Sequence, residues 1–308
     1  MKYFLTGDLH SFYIPFEQSL KNVRYDKNNS NHSLVILGDL FDRGEETKEL
    51  YNFLTSIPED RLILVKGNHE YLLEQLLNKS FPESYDFSNG TVRTCCQMAY
   101  SSKHIAKKNE MILKDLEFDV TYGSIFSDKT DNLDDKFAIR KWKQIVKRVK
   151  NSDIYNWFKN IKWKHYFELD KFIAVHSFVP VKFNNNCHFT KQSEFNAIYN
   201  GWVNCMESDL NWRNANERSW ELATWGCPYV YLEAKLFSEN KTLICGHYTA
   251  DEFHRHYDSN YNERNFKMYY DKNIIALDGT TAWSRITNIL VINEDGSCYD
   301  QFNKKLNI

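Results

Sequence analysis

Three short segments near the start of the chain end in the same way, and this repetition constrains the fold more than any other feature. In each segment an apolar run leads through a glycine to side chains that can bind a metal ion. The segments cover residues 3–10 (YFLTGDLH), 34–44 (LVILGDLFDRG) and 62–70 (LILVKGNHE). Asp8 precedes Asp39 by 31 positions and Asp39 precedes Asn68 by 29, about the length of a strand–helix–strand unit. The sequence therefore predicts that oxygen and nitrogen ligands from three successive segments lie at the same edge of a sheet.

Helical patterns fill the gaps between these segments. Residues 12–23 have helical character, and residues 71–77 read as a further helix. Between them, apolar residues recur with the i, i+3, i+4, i+7 spacing of one helix face, at Leu50, Phe53, Leu54 and Ile57. This order predicts an α/β fold with helices packed on the sheet. Open α/β sheets place their active sites at the edge where the strands end.

Composition fits an enzyme-sized globular chain. With 308 residues, of which 42% are hydrophobic, the chain can bury a substantial core in one large domain or two small ones. The net charge of −2 gives no general attraction to nucleic acid or to an anionic membrane. Seven cysteines without a C-x-x-C pair argue against a disulfide framework and against a thiolate zinc site. No apolar stretch approaches the roughly 20 residues of a membrane span, and no signal peptide is expected, so a cytoplasmic location is predicted.

The rest of the chain adds further strands around two less regular regions. Residues 1–308 are predicted to form a single domain, with a helical cap or insertion at about 80–163 and a second irregular region at about 181–240. In the first region the pattern breaks up as far as about residue 135, and helices are then expected at 138–150 and 154–161. Strands are expected at 164–168, 172–175, 241–245, 273–277 and 286–293.

Metal-binding residues collect at the ends of these strands. Asp8 and His10 are two positions apart, so both side chains point the same way while the chain is extended. The other candidates follow apolar strands, namely Asp39, Asn68, His176 and His247. Two carboxylates, three imidazoles and an amide oxygen are too many ligands for one tetrahedral zinc ion. They suit two divalent ions that share a carboxylate, with Mn²⁺ expected and iron or zinc as alternatives.

The motif set resembles the calcineurin-like metallophosphoesterases. The trio G-D-L-H, G-D-L-F-D-R-G and G-N-H-E is followed by a strand ending in His176 and another ending in Gly246–His247. The D-R-G extension and the G-N-H-E form are similar to the phosphoprotein-phosphatase branch. That branch includes eukaryotic serine/threonine phosphatases, the phage lambda phosphatase and the bacterial symmetrical diadenosine tetraphosphatases. The resemblance is strong over residues 1–78, weaker over 164–180 and 241–292, and absent between.

The resemblance implies a fold and a metal centre. The fold is an α/β sandwich of two mixed β-sheets packed together and flanked by helices, with a helical or irregular insertion. The implied ligands of one metal ion are Asp8, His10 and His247. Those of the other are Asn68 and His176, and Asp39 bridges the two ions.

The resemblance also implies the catalytic roles. A hydroxide held between the metals attacks phosphorus directly, without a covalent phosphoenzyme. His69 protonates the leaving oxygen, and Asp42 holds its imidazole in place. Arg43 binds two phosphate oxygens through its forked guanidinium, which a lysine could not match. The Leu277–Thr281 strand end resembles a late structural segment of the family near the site.

Each of these residues also has a plainer interpretation. Taken alone, Asp8 and Asp39 could cap ordinary strand-to-helix turns, and His176 could be a hydrogen-bonded core histidine. Their occurrence together favours the metal site. The basic residues between positions 140 and 150 are interpreted as the solvated face of a helix rather than a nucleic-acid groove. The tryptophans at 202, 212, 220 and 225 are expected to pack a core rather than stack on a nucleobase.

The sequence departs from the family pattern in two places. The region that usually carries a second phosphate-binding arginine reads Ala-Thr-Trp-Gly-Cys-Pro at residues 223–228. Arg213 or Arg218 could replace it from nearby. The residues after His176 are Ser177 and Phe178, where many relatives have Ala-Gly. Both departures concern substrate recognition rather than the metal centre.

These observations predict a metal-dependent phosphoric ester hydrolase. Phosphomonoesters are the expected substrates, with phosphoserine or phosphothreonine in proteins as the candidate group. The first alternative is hydrolysis of nucleotide phosphoanhydrides such as dinucleoside polyphosphates. A non-catalytic scaffold of the same fold is the alternative from another class, and a nuclease or cyclic phosphodiesterase fits the motifs less well. The expected partner is a phosphorylated substrate, either phosphoprotein or nucleotide, and neither a membrane nor nucleic acid is expected.

Overall fold

Two five-stranded sheets form the centre of the molecule. The computed structural model describes residues 1–126, 133–184, 190–271 and 273–307. The strands of the first sheet, in spatial order, are β12 (Cys298–Tyr299), β11 (Leu290–Asn293), β1 (Lys2–Thr6), β2 (His32–Leu37) and β3 (Leu62–Val65). Those of the second are β4 (Tyr166–Glu168), β5 (Phe172–Val175), β8 (Thr242–Thr249), β10 (Ile274–Asp278) and β9 (Tyr269–Tyr270). A separate hairpin pairs β6 (Val181–Phe183) with β7 (Met206–Ser208).

Helices surround this pair of sheets. They are α1 (Tyr13–Asn22), α2 (Thr47–Thr55), α3 (Asn68–Leu76), α4 (Ser84–Ser88), α5 (Thr91–Ala99), α6 (Lys103–Phe126), α7 (Leu133–Lys150), α8 (Asp153–Asn160), α9 (Lys191–Tyr199), α10 (Glu217–Ala223), α11 (Pro228–Glu233), α12 (Ala250–Tyr257) and α13 (Thr281–Ser284). Among the described residues, no helix combines the length and apolar character needed to cross a bilayer.

Alternating side chains along the strands build the layers. In β1, Phe4 packs toward the helical layer outside the first sheet, whereas Leu5 packs between the two sheets. In β8, Ile244 joins Leu5 between the sheets, and Leu243 packs toward the helices outside the second sheet. Strands β1, β2 and β3 are parallel, and β11 is antiparallel to β1, so the sheet is mixed. The predicted sandwich of two mixed sheets flanked by helices is confirmed.

The two inserted regions each cover the outer face of one sheet. Helices α5, α7 and α8 share the core outside the first sheet, through residues such as Val92, Trp142 and Phe158. The hairpin and helices α9 to α11 share the core outside the second sheet, through residues such as Ala197 and Tyr231. The regions at 80–163 and 181–240 are therefore more regular than the sequence indicated. The buried face of α5 includes Thr91, Val92, Cys95 and Cys96.

Two strand boundaries differ from the prediction by four residues each. Strand β11 begins at Leu290 rather than at residue 286, because the residues before Leu290 form hydrogen bonds with the end of β10 and with the segment that follows β10. Asn288 donates to the carbonyl of Leu277 (3.1 Å), and the carbonyl of Ile286 accepts from the Thr281 hydroxyl (2.9 Å). Strand β8 continues to Thr249 instead of stopping near residue 245. Its pairing with β10 is irregular there, because Cys245 lies opposite Ala276 but Thr249 lies opposite Asp278. The extra residues form a bulge that contains His247.

Candidate active site

Strand ends of both sheets meet at one place, where the predicted site residues lie. Asp8, Asp39 and Asn68 follow the parallel strands β1, β2 and β3 of the first sheet. His176 follows β5 of the second sheet, and His247 lies in the β8 bulge. A hydrogen bond from the amide of Gly246 to the carbonyl of His176 (2.8 Å) joins these last two segments.

The site backbone is strained at many positions. Six of the nine predicted site residues have a positive φ, between 47° and 77°. They are Asp8, His10, Asp39, Asp42, Arg43 and His247. Each such residue costs about 1–2 kcal/mol, and such conformations persist only where surrounding contacts hold them. Backbone hydrogen bonds do so here, since His10 donates to the carbonyl of Asp39 (2.9 Å) and Gly44 donates to that of His10 (2.9 Å).

Asp39 lies at the centre of the predicted ligands. One of its carboxylate oxygens is 3.5 Å from His176 Nε2, and the other is 3.6 Å from His10 Nε2. The carboxylate also accepts a hydrogen bond from the backbone N–H of His69 (3.1 Å). The side chain is almost fully buried. This central position is what a carboxylate shared by two metal ions requires.

The imidazoles are oriented as metal ligands usually are. His10 donates from Nδ1 to the carbonyl of Phe41 (3.0 Å), and His176 donates from Nδ1 to the carbonyl of Leu37 (2.6 Å). In both rings Nε2 is left to face Asp39. Such backbone contacts fix the tautomer and direction of ligating histidines in metal sites. Burial lowers the pKa of His10, His176 and His247, which favours the neutral rings that metal coordination demands.

Acceptor atoms face one another in the site. Asn68 Oδ1 is 2.8 Å from His176 Nε2, and both atoms are acceptors when the ring is neutral. Burial and the nearby carboxylates of Asp278 and Asp39 raise the pKa of Asp8. Close acceptors and mutually repelling carboxylates are both relieved by a divalent cation. The donor set therefore fits the two-metal centre that the sequence predicts.

The described residues bring potential ligand atoms together in two groups around Asp39. Within each group the ligand atoms lie within 4.8 Å of one another: His10, Asp39 and His69, and Asp39, His176 and His247. His247 lies beside His176, with ring centroids 5.1 Å apart. It also contacts Asp8, whose carboxylate accepts the backbone N–H of His247 (3.0 Å).

His69 and Asp42 form a buried pair beside the ligands. His69 Nδ1 and Asp42 Oδ2 are 2.6 Å apart, and the hydroxyls of Thr91 and Thr94 each donate to the Asp42 carboxylate (2.7 Å). Burial lowers the pKa of His69, but the carboxylates of Asp39 and Asp42 together raise this pKa by a larger amount, so the net shift is upward. Arg43 Nη2 lies 3.3 Å from His69 Nε2. An imidazole, a fixed carboxylate and a guanidinium are thus brought together.

Glu70 is a structural part of the site to which the sequence analysis gave no role. Its buried carboxylate accepts the backbone N–H groups of Asp39 (2.9 Å), Leu40 (2.9 Å) and Gly67 (2.8 Å). Burial, and then the charge of Asp39, raises the pKa of Glu70 to about 7. Glu70 therefore joins the loop after β2 to the loop after β3. The sequence carried a signal, since glutamate three residues after Gly67 is a capping-box position at a helix start.

The missing second arginine is not supplied by either predicted substitute. Arg213 is bound to Glu168 (2.7 Å) and to Glu239 (2.6 Å), and Arg218 is bound to Glu221 (3.0 Å). The corresponding region instead places an aromatic side chain at the site. The Trp225 ring lies edge-on to the His247 ring, with centroids 5.8 Å apart.

Comparisons with known proteins identify a family and several solved structures to which this chain is similar. The sequence model of a family described as calcineurin-like phosphoesterase matches residues 1–201. Among solved structures, a cold-active protein tyrosine phosphatase is 14% identical, with 99% of this chain and 78% of that chain covered and a TM-score of 0.49. A putative diadenosine tetraphosphatase is 12% identical, with 97% and 92% covered and a TM-score of 0.43. A protein serine/threonine phosphatase from Saccharomyces cerevisiae is 11% identical, with 99% and 79% covered and a TM-score of 0.43. No curated protein sequence matches the chain.

Proposed function

Since the chain belongs to the calcineurin-like phosphoesterase family, we propose that it is a two-metal phosphatase that hydrolyses phosphomonoesters. Phosphoserine or phosphothreonine in proteins is the proposed substrate group. The observation that carries the proposal is the position of Asp39 between two sets of ligands, beside the His69–Asp42 pair. A scaffold would not need both a complete donor set and an oriented acid.

We propose that the ligands bind two ions that share Asp39. We assign Asp8 and His10 to one ion, and Asn68, His176 and His247 to the other, because Asp39 lies close to His10 on one side and to His176 and His247 on the other. Two divalent ions bound there would polarise a phosphoryl oxygen and lower the pKa of a water molecule. The ligands are oxygen and imidazole nitrogen without thiolate, which suits Mn²⁺ and also admits iron or zinc.

His69 is the proposed general acid. Its Nδ1 is held by Asp42, so Nε2 is the atom that can give a proton to the leaving oxygen. The upward shift in the pKa of His69 favours the protonated form that an acid needs. Arg43 is the proposed phosphate-binding residue. Its guanidinium lies within 3.3 Å of His69 Nε2, so a phosphate held by Arg43 lies beside the proton donor.

A second candidate function is supported by the aromatic residues near His247. Trp225 contacts Phe195 (centroids 5.4 Å apart) and Tyr199 (6.4 Å), and Tyr199 is 53% exposed. An exposed aromatic wall beside a metal ligand could stack on a nucleobase. Hydrolysis of dinucleoside polyphosphates therefore remains the alternative to a protein substrate.

One set of assays tests the function and its alternative. The Mn²⁺-loaded protein is incubated with an aryl phosphate, a phosphoserine peptide, diadenosine tetraphosphate and a bis-aryl phosphodiester, beside an Asp39→Asn control. We expect turnover of the aryl phosphate and the phosphopeptide, and none by the control. Preferred turnover of diadenosine tetraphosphate would support the alternative. If no substrate is hydrolysed, or if the control stays fully active, the proposed function is wrong.

A further inference from the structure

One exposed face of α7 carries a row of cations. Arg140, Lys143, Lys147 and Lys150 follow one another at steps of three, four and three residues, and all four are exposed. Residues at this spacing lie on the same side of a helix. The opposite side is fully buried in the core, through Trp142, Ile145 and Val149. We call the four cations the α7 stripe.

Among the residues that the structure describes, the cations of the α7 stripe are not neutralised by neighbouring acids. Some other surface lysines are paired, as in Lys103 with Glu49 (2.7 Å) and Lys162 with Glu59 (2.7 Å). Within the described ranges of the chain, no carboxylate lies within ion-pair distance of any cation in the stripe. Like charges three or four residues apart on a helix repel one another, at about 0.2–0.5 kcal/mol per pair. An anionic partner would reverse that repulsion.

The stripe runs into a cleft beside α2, the end of α5 and the start of α8. The cleft has a volume of about 730 Å³, and its cations are Lys48, Lys147 and Arg148, with Asp153 also on its wall. Four carboxamides line it as well: Asn52, Gln97, Gln144 and Asn151. The cleft is therefore polar, with an excess of positive charge.

One side chain connects this cleft to the proposed phosphate-binding loop. Gln97 lines the cleft, and its Nε2 donates to the carbonyl of Gly44 (2.9 Å), the residue that follows Arg43. Its Oε1 accepts the backbone N–H of Thr47 (3.2 Å), next to Lys48 of the cleft. A chain bound in the cleft would therefore lie one side chain away from the D-R-G loop.

We propose that the α7 stripe and this cleft bind an acidic peptide segment of a protein substrate, next to the site where its phosphate is removed. The peptide-binding part stands on charge and shape alone, whereas delivery to the active site rests on the proposed phosphatase function. Carboxamides suit a peptide because they can both donate to and accept from its backbone.

The cleft is less suited to single-stranded nucleic acid. Such sites combine cations with aromatic faces on which bases stack. Here the guanidinium of Arg148 covers the Tyr100 ring (5.2 Å to its centroid), and Tyr51 packs edge-on against Trp157 (centroids 5.6 Å apart). The aromatic rings of the cleft are thus engaged by other side chains.

Binding of a labelled acidic peptide tests the site. Fluorescence anisotropy is measured with a peptide of about a dozen residues rich in Glu and Asp, and with single-stranded DNA of equal charge. The variants are Lys147→Glu/Arg148→Glu and Lys143→Glu/Lys147→Glu, the second of which keeps Arg148 on Tyr100. The control is Lys304→Glu/Lys305→Glu, two exposed positions near the β12 edge.

We expect Lys147→Glu/Arg148→Glu and Lys143→Glu/Lys147→Glu, together called the stripe variants, each to weaken peptide binding by about tenfold or more. The control should bind the peptide like the wild type. Absence of peptide binding, or equal weakening in the control, would overturn the proposal. Tighter binding of the DNA, lost in the stripe variants, would overturn it in favour of nucleic acid.

Turnover separates this proposal from the function on which its second part rests. For the stripe variants, kcat/KM should fall about tenfold on a phosphopeptide with an acidic flank, and should be unchanged on an aryl phosphate. An equal fall on both substrates would contradict a docking role. If the wild type hydrolyses neither, the phosphatase proposal fails, while the anisotropy measurement still decides whether the cleft binds acidic peptides.

Discussion

At the scale of single residues, the candidate site is a set of strained positions held by specific contacts. Asp39 has a positive φ (52°), and three hydrogen bonds hold it there. Its carboxylate accepts from the His69 N–H, and its carbonyl accepts from the His10 N–H. Its own backbone N–H donates to the Glu70 carboxylate. These contacts come from two other segments, the loop after β1 and the start of α3. We infer that ligand positions are set by the backbone before a metal binds, which favours tight and geometrically selective binding.

Replacement of His69 distinguishes an acid from a ligand. We expect His69→Asn to slow turnover by about 10²–10⁴-fold, because loss of a positioned general acid has effects of this size. Binding of Mn²⁺, followed by isothermal titration calorimetry, should be unchanged. His256→Asn, at an exposed histidine paired with Glu233 (2.7 Å), serves as the control. Loss of one metal ion in His69→Asn would show that His69 is a ligand, as its place in the group with His10 and Asp39 allows.

Replacement of Glu70 tests the contact between the two loops. In Glu70→Gln one of three backbone N–H groups faces an amide instead of a carboxylate oxygen, which leaves a buried donor without a partner. We expect Mn²⁺ affinity to fall by about 10–100-fold, as for other groups that orient metal ligands. Glu74→Gln, on the same helix but half exposed, should bind Mn²⁺ like the wild type. Equal affinities of the two variants would contradict this role.

Some of these residues can be identified from the sequence, but others cannot. Asp8, Asp39 and Asn68 can be found from sequence because each follows an apolar strand through glycine, so the local pattern marks the position. Thr91 and Thr94, which hold Asp42, lie about 50 positions away on α5. Contacts of this kind are made by the fold and leave no local signal.

At the scale of elements, α1 and α11 each end with a strained residue that has no evident role in the site. Arg24 (φ 57°) follows α1, and Lys235 (φ 56°) follows α11. The next residue in each case, Tyr25 or Leu236, donates to a carbonyl five positions back (2.9 Å). This is the Schellman arrangement, in which glycine is the usual residue at the left-handed position.

Glycine at these two ends should stabilise the protein. We expect Arg24→Gly and Lys235→Gly each to raise the free energy of unfolding by about 0.5–1 kcal/mol, because glycine adopts a positive φ without steric cost. Urea unfolding measures the change. Lys108→Gly, at an exposed position inside α6, should instead lower it by about 1 kcal/mol. Destabilisation by all three changes would show that the left-handed strain at the helix ends is negligible.

Element boundaries were less predictable than element types. The sequence identified β8 from its apolar residues but placed its end near residue 245, whereas pairing continues to Thr249. The continuation depends on the bulge opposite Ala276 and Asp278, and thus on a neighbouring strand. The same bulge positions His247, so the strand end and the position of this histidine both depend on β10.

At the scale of the whole molecule, ion pairs tie the second sheet to the region that follows it. Glu168 in β4 accepts hydrogen bonds from Arg213 (2.7 and 3.1 Å) and Lys241 (3.0 Å). The bonds from Arg213, and then those from Lys241, hold the pKa of Glu168 at about 2, although burial opposes them. The network is the role that the structure gives to Arg213 in place of phosphate binding.

This network predicts a dependence of stability on pH. The folded pKa of about 2 lies below the value of about 4.3 expected in the unfolded chain, so the stabilisation is complete above the unfolded value. It is lost as the pH falls toward 2. The gap in unfolding free energy between wild type and Glu168→Gln should therefore narrow from pH 6 to pH 3 in urea unfolding. Glu45→Gln changes an exposed ion pair and serves as the control. Its unfolding free energy should differ little from that of the wild type at every pH between 6 and 3. A difference in unfolding free energy between wild type and Glu168→Gln that stays constant from pH 6 to pH 3 would contradict the low pKa of Glu168.

The number of metal ions bound per chain tests the central claim most directly, because a shared carboxylate requires two. Protein loaded with Mn²⁺ and freed of excess metal is analysed by elemental analysis against protein concentration. We expect two ions per chain in the wild type, and no more than one in Asp39→Asn, since Asp39 belongs to both groups of ligands. A wild type that holds one ion or none, or an Asp39→Asn variant that retains two, would contradict the account.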